Sequence, residues 1–159
     1  MSQIDSSEDQ ILVNLWLRGL SAKTGLQLRL NEQGVCAIGH TSGLDCAIEV
    51  PDGRGRVYFH IPLMPWAGAP AALAERCLSE NFLGINTDGA SFAIDRDEGQ
   101  IVVWITRRLE TLDEAQFGKL LVDFFETANH WRQELLAFCQ RAMAPADTPL
   151  ARSEAFLRG

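Results

Sequence analysis

The feature that most constrains this chain is one long apolar stripe in its second half, fed by a pair of strands. Phe117, Leu120, Leu121, Phe124, Ala128, Trp131, Leu135 and Cys139 recur at steps of three and four. That spacing puts side chains on one face of an α-helix of roughly eight turns. Just before it, Thr111-Leu-Asp-Glu114 is a helix-start signal: a short polar side chain to cap free N–H groups, then acid in the first turn. Further upstream, Phe92-Ala-Ile-Asp95 and Ile101-Val-Val-Trp-Ile105 flank a short turn and read as a β-hairpin. A stripe of this length needs a sheet or a partner to cover it, so the rest of the chain is read for one.

The first half supplies it. Ser7 with Glu8, Asp9 and Gln10 opens a helix. Ile11, Leu12, Leu15, Trp16 and Leu20 fall on one face, and Gly25 stops it. Val13 and Leu17 widen the apolar arc beyond a single buried stripe, which points to a second, outward contact. From Leu26 the period changes to two: Leu26, Leu28 and Leu30 alternate with Gln27 and Arg29, and a turn at 31–34 leads to a short strand from Val35. Cys46, Ile48 and Val50, then Val57, Phe59, Ile61 and Leu63, alternate with polar residues as half-buried strands. Pro70 opens a second helix over 71–82, with Leu73, Ala74, Cys77, Leu78 and Phe82 on its apolar side. In the closing hairpin Ile101, Val103 and Ile105 make one face, and Val102 with Trp104 a second apolar face that suits a subunit interface. The order α-β-β-β(-β)-α-β-β-α describes an α+β fold, an antiparallel twisted sheet packed with three helices. Residues 1–142 form one domain, and 143–159 read as a C-terminal tail with a helical turn around Glu154 to Leu157.

Composition narrows the function. A formal charge of −7 without clustered Lys and Arg opposes a nucleic-acid or anionic-membrane surface. The most apolar stretch, residues 61–74, is broken by Pro62, Pro65 and Pro70 and is too short to span a bilayer. The acidic N-terminus lacks the basic start of a secretory signal, so a reducing cytoplasm and four reduced cysteines are expected. Cys36, His40, Cys46 and His60 match no zinc spacing, and the cysteine of the second strand takes the apolar parity while His60 takes the polar one. Asp45, Glu49, Asp95 and Asp97 sit at wet strand positions and turns, where carboxylates are solvated. No phosphate loop occurs. The reading is therefore a protein that is not an enzyme, with no metal and no cofactor.

Several stretches carry a family likeness. They are Leu28-Arg-Leu-Asn-Glu-Gln-Gly-Val-Cys-Ala-Ile38 and the Pro62-Leu-Met-Pro65 close of the meander. More specific are Glu80-Asn-Phe-Leu-Gly-Ile-Asn-Thr-Asp-Gly-Ala-Ser-Phe-Ala-Ile-Asp95 and Gly99-Gln-Ile-Val-Val-Trp-Ile105. In order and spacing, over about residues 11–136, the chain resembles the class I type III secretion chaperones, the Tir-chaperone family of Gram-negative bacteria. The resemblance implies a cytoplasmic homodimer that keeps the N-terminal segment of a secreted effector extended, uses no ATP, and has the secretion ATPase as a further partner. By that resemblance Leu73, Arg76, Cys77, Glu80, Val102 and Trp104 form the dimer seam. Effector anchors enter near Val13, Leu17, Leu28 and Val35. Two other classes share parts of this pattern: a small cysteine/histidine enzyme, and a generic dimeric adaptor or regulator unconnected to secretion.

Overall fold

A computed structural model describes residues 7–144. The expected tail, with its turn near Glu154, lies outside the described residues apart from positions 143 and 144. The elements are α1 (Glu8–Thr24), β1 (Val35–Gly39), β2 (Asp45–Glu49), β3 (Arg56–Pro65), α2 (Ala72–Glu80), β4 (Ser91–Asp95), β5 (Gln100–Arg108) and α3 (Glu114–Met143). A short 3-10 turn, Phe82–Gly84, follows α2, and another, Leu109–Thr111, precedes α3. The strands form one antiparallel sheet in the order β1-β2-β3-β5-β4. This is the α+β arrangement of three helices on an antiparallel sheet.

α1 starts and stops where its sequence says and α3 starts at its signal, whereas α2, expected over 71–82, runs Ala72–Glu80 and gives way to the 3-10 turn at Phe82. The Ser7 side chain accepts from the Gln10 N–H, and Gly25 closes α1 in the left-handed conformation (φ 75°). At α3 the Asp113 carboxylate accepts from the Gln116 N–H at 2.8 Å, and the Gln116 side-chain carbonyl accepts from the Asp113 N–H at 2.9 Å. This reciprocal capping box satisfies two N–H groups that a helix end otherwise leaves open.

The core is the stripe against the sheet. Phe59 of β3 lies 5.5 Å from the Phe117 ring and 6.3 Å from Phe124, and Trp16 of α1 lies 5.4 Å from Phe117. Phe92 meets Trp131 edge-on at 5.2 Å, and the indole N–H of Trp131 donates to the Asn86 carbonyl at 3.2 Å. Burial of each such aromatic contributes about 1.5–3 kcal/mol. Together these contacts bind both sheet and α1 to α3.

One expected strand is not a strand. Residues 26–30 pair with no neighbouring strand. Instead the Leu28 N–H donates to Ser21 Oγ (3.0 Å) and the Leu30 N–H to Asn14 Oδ1 (2.9 Å), so side chains of α1 take the place of a ladder. The expected alternation is only partial: Leu26 is exposed like Gln27 and Arg29, Leu28 is half-buried and Leu30 buried, so burial rises along the segment as it packs against α1. Gly34 turns the chain into β1 with φ 75°, and a Cβ there would meet Gln10 Nε2 and the Val50 carbonyl at 2.6 Å. A left-handed backbone in that close space requires glycine.

Candidate functional site

Three regions hold the residues singled out from the sequence. The first lies along α1. Val13 and Leu17, expected to face outward, are both 0% exposed and point into the core beside Trp16. The helix rolls so that residues 13, 16, 17 and 20 form the inward stripe. Ile11 (60% exposed) and Leu15 (53%) are left outside. Both arcs are apolar, so helical periodicity alone could not choose between them; the register against Phe117 does. Neither Val13 nor Leu17 is available to a partner in this conformation. Leu28, half-buried, joins Ile11, Asn14, Arg18, Leu26 and Arg29 around a groove of about 710 Å³ between α1 and residues 26–30.

The second region is the sheet face opposite the helices. Strand register aligns Val35 with Glu49, Tyr58 and Thr106 in one row. Ala37, Ala47, His60, Trp104 and Ser91 align in the next, and Pro62, Val102 and Ala93 in a third. Val103, Ile105 and Phe59 point the other way, into the core. The two-faced character of β5 is thus real: Trp104 is half-buried on a face that no described helix covers, while Val102 is nearly enclosed by its sheet neighbours. The His60 Nε2 lies 2.8 Å from Glu49 Oε1 on this same face.

The third region is α2 and the turn after it. Leu73 is 0% exposed and Cys77 8%, so these two expected seam residues pack inside their own subunit instead of facing out. Arg76 and Glu80 are half-buried and paired at 2.8 Å. The guanidinium lies 6.0 Å from the centres of both Trp131 and Phe138, close enough for a cation–π contact. The outward ridge is different. Leu78, Phe82, Leu83 and Ile85 are all at least 70% exposed. Leu83 also holds a left-handed backbone, φ 59°, which is costly for a leucine and turns the chain sharply at the ridge. Helical spacing places Leu78 and Phe82 on the buried side of α2, and the structure exposes both, together with Leu83 and Ile85. The available signal was the surplus of large apolar residues between Cys77 and Ile85, more than the stripe of Leu73 and Cys77 can bury.

The cysteines and histidines do not converge. Cys36 and Cys46 point into the core, His60 lies on the opposite sheet face, and exposed His40 stacks on Phe125 at 4.8 Å. Among the described residues no three His, Cys, Asp or Glu side chains are grouped to hold a metal ion. Burial pushes the Cys46 thiol up to about 12 and the Cys77 thiol up to about 11, with the nearby Cys139 adding to the latter. Burial likewise raises Cys36 and Cys139. These are protonated, enclosed thiols, the opposite of an activated nucleophile.

What the arrangement offers is therefore surface. The sequence profile of the Tir chaperone protein (CesT) family matches residues 16–132, well over half the chain. The chain belongs to that family. It is accordingly a chaperone of the type III secretion class, which agrees with the likeness read from the hairpin and α2 motifs. No curated protein sequence matches it significantly. Among solved structures, a chain of the ExsC–ExsE complex is similar with a TM-score of 0.73 at 17% identity, over 82% of this chain and 97% of that one. A chain of the HopA1–SchA chaperone–effector complex gives 0.67 at 16% identity, over 80% and 98%. The Yersinia pestis type III secretion chaperone SycH, in complex with a stable fragment of YscM2, gives 0.55 at 16% identity, over 72% and 95%. At these identities the likeness is one of fold; the family match carries the assignment. Among the described residues no helix of this CesT-family chain is long and apolar enough to cross a membrane.

Proposed function

We propose that this CesT-family chain works as a cytoplasmic homodimer that holds the N-terminal segment of a secreted effector extended and ready for export. It uses no nucleotide and catalyses no reaction. The observation that carries this reading is apolar surface left over in two separate places after the core has closed: Ile11, Leu15 and Leu26 along α1, and Leu78, Phe82, Leu83 and Ile85 after α2. Monomeric proteins rarely leave large contiguous apolar patches without a use.

The two patches suit two partners. The α2 ridge and the open face bearing Trp104 form the seam between copies, with Arg76 and Glu80 supporting the ridge from behind. A two-fold axis there repeats the α1 groove on the far side of each subunit, so one extended client reaches both. Client anchors enter beside Ile11, Leu15, Leu26 and Leu28, and Val35 offers a further contact on the sheet face. An extended segment that buries side chains in preformed grooves offsets its ordering cost without folding. Supporting this, similar solved structures include a chaperone–effector complex and a secretion chaperone holding a fragment of another protein. The secretion ATPase is a further partner in this reading.

The test is light scattering on the purified chain, followed by capture from the native host and truncation of whatever is captured. A dimer, and retention mapping to the client's N-terminal segment, support the proposal. A monomer at micromolar concentration, or a client held through a folded domain, refutes it.

A further inference from the structure

The α1 groove has a charge pattern that apolar anchoring alone does not use. Resting on the effector-binding reading above, we propose that this groove selects client segments carrying a carboxylate beside their apolar anchors, seated between Arg18 and Arg29. Both arginines are exposed and both line the groove, together with Ile11, Leu26 and Leu28. Among the described residues neither guanidinium has an ion-pair partner; the same holds of Arg54, Arg56, Arg96, Arg107, Arg132 and Arg141, but this groove is lined by two such arginines beside apolar side chains. No Asp or Glu lines the groove.

Of the other polar groups there, two are already committed, and Gln27 is exposed and uncharged. Asn14 Oδ1 accepts the Leu30 N–H, while Ser21 Oγ accepts the Leu28 N–H and donates to the Leu17 carbonyl. What remains for a ligand is two cations, the Gln27 amide and three apolar side chains. Arginine pairs with carboxylates through parallel N–H···O bonds that lysine cannot match, so the pair reads geometry as well as charge. In a chain of net charge −7 this groove is a local exception. An acidic client is repelled over most of the surface and admitted here, which fixes register more than affinity.

The probe is a set of three short fluorescein-labelled peptides of alternating leucine and serine, differing only in a central Glu, Gln or Lys. Anisotropy titrations with the full chain at low and high salt read the preference. The Glu peptide is expected to bind roughly fivefold to tenfold tighter than the Gln peptide, with the gap closing at high salt. Arg18→Gln with Arg29→Gln removes the preference, and Arg18→Glu with Arg29→Glu transfers it to the Lys peptide, circular dichroism staying unchanged in both. Equal binding of the Glu and Gln peptides, no binding of any, or a preference surviving in the double variants overturns the proposal. Deleting residues 1–6, which include Asp5, is expected to leave the preference in place. A preference that emerges only after deletion makes the chain's own N-terminus the occupant and refutes the client. The chaperone reading fails separately: if the unaltered chain holds no client by an N-terminal segment, that reading falls whatever the peptides do.

Discussion

Leu15 and Leu17 sit two positions apart on one helix and have opposite fates. Leu17 is 0% exposed and Leu15 is 53% exposed. Replacing Leu17 with Ala opens a cavity under Trp16 and is expected to cost about 2–5 kcal/mol, measured by urea denaturation. Leu15→Asp is expected to leave stability within about 0.5 kcal/mol while weakening client capture, measured by calorimetry once the client is in hand. The opposite ranking would mean that α1 is rolled the other way. The thiols give a pH prediction. Below pH 9.0, the ordinary thiol value, Cys46 is protonated in both the folded and the unfolded chain. Between there and about 12 the unfolded chain ionises while burial holds the proton on the folded one, so stability falls as pH rises through that window. Denaturation midpoints at neutral pH and near pH 10 test this. A Cys46→Ala chain is expected to lose less stability between the two.

At the scale of elements, the signals at helix ends were legible because they are local. Ser7, Gly25 and the Asp113–Gln116 box each act within four residues; the first two lie where the sequence predicts them, and the Thr111–Glu114 signal marks the start of α3 while the structure puts the cap on Asp113 with Gln116 as its partner. Asp113→Ala removes the box and is expected to cost about 1 kcal/mol, lowering the melting temperature by roughly 2–4 °C for a domain of this size. Scanning calorimetry checks it, and an unchanged transition would mean that tertiary packing alone holds the first turn of α3. Residues 26–30 read as a strand because alternating leucines signal burial, whatever provides it. A segment lying on a helix can bury some of the side chains a strand would, here Leu28 in part and Leu30 almost wholly, while Leu26 stays exposed. Only the hydrogen-bond partners separate the two arrangements, and Ser21 and Asn14 of α1 supply these from 7 and 16 residues away. The outer edge of β4 shows the same economy: the Asn81 side chain accepts the Phe92 N–H at 2.6 Å and donates to its carbonyl at 3.1 Å, standing in for a sixth strand.

For the whole molecule the question is which surface is spent on a second copy. The ridge of Leu78, Phe82, Leu83 and Ile85 is the most exposed large apolar group among the described residues, and it adjoins the α2 residues expected at the seam. The double change Leu78→Glu with Phe82→Glu is expected to give a folded monomer, by light scattering with an unchanged circular dichroism spectrum, because like charges would face each other across the two-fold axis. A persisting dimer would leave the open sheet face alone as the seam, where Trp104→Glu is the corresponding change. Both changes lie away from the α1 groove, so peptide binding by a monomeric variant separates client recognition from dimerisation.

Apart from residues 26–30, the order of elements, the long stripe of α3, the two-faced β5 and the family were legible in residues close together in the chain. Capping, periodicity and turn glycines act over a few positions, and these are the interactions a sequence displays directly. Which side of α1 turns inward, which α2 residues are enclosed and which arginines share a groove depended on contacts between residues far apart. Phe117 chooses the roll of α1 from a hundred positions away, and α3 claims Leu73 and Cys77 for the core. Those choices leave Ile11, Leu15, Phe82 and Leu83 in water, and it is this remainder that a partner can use.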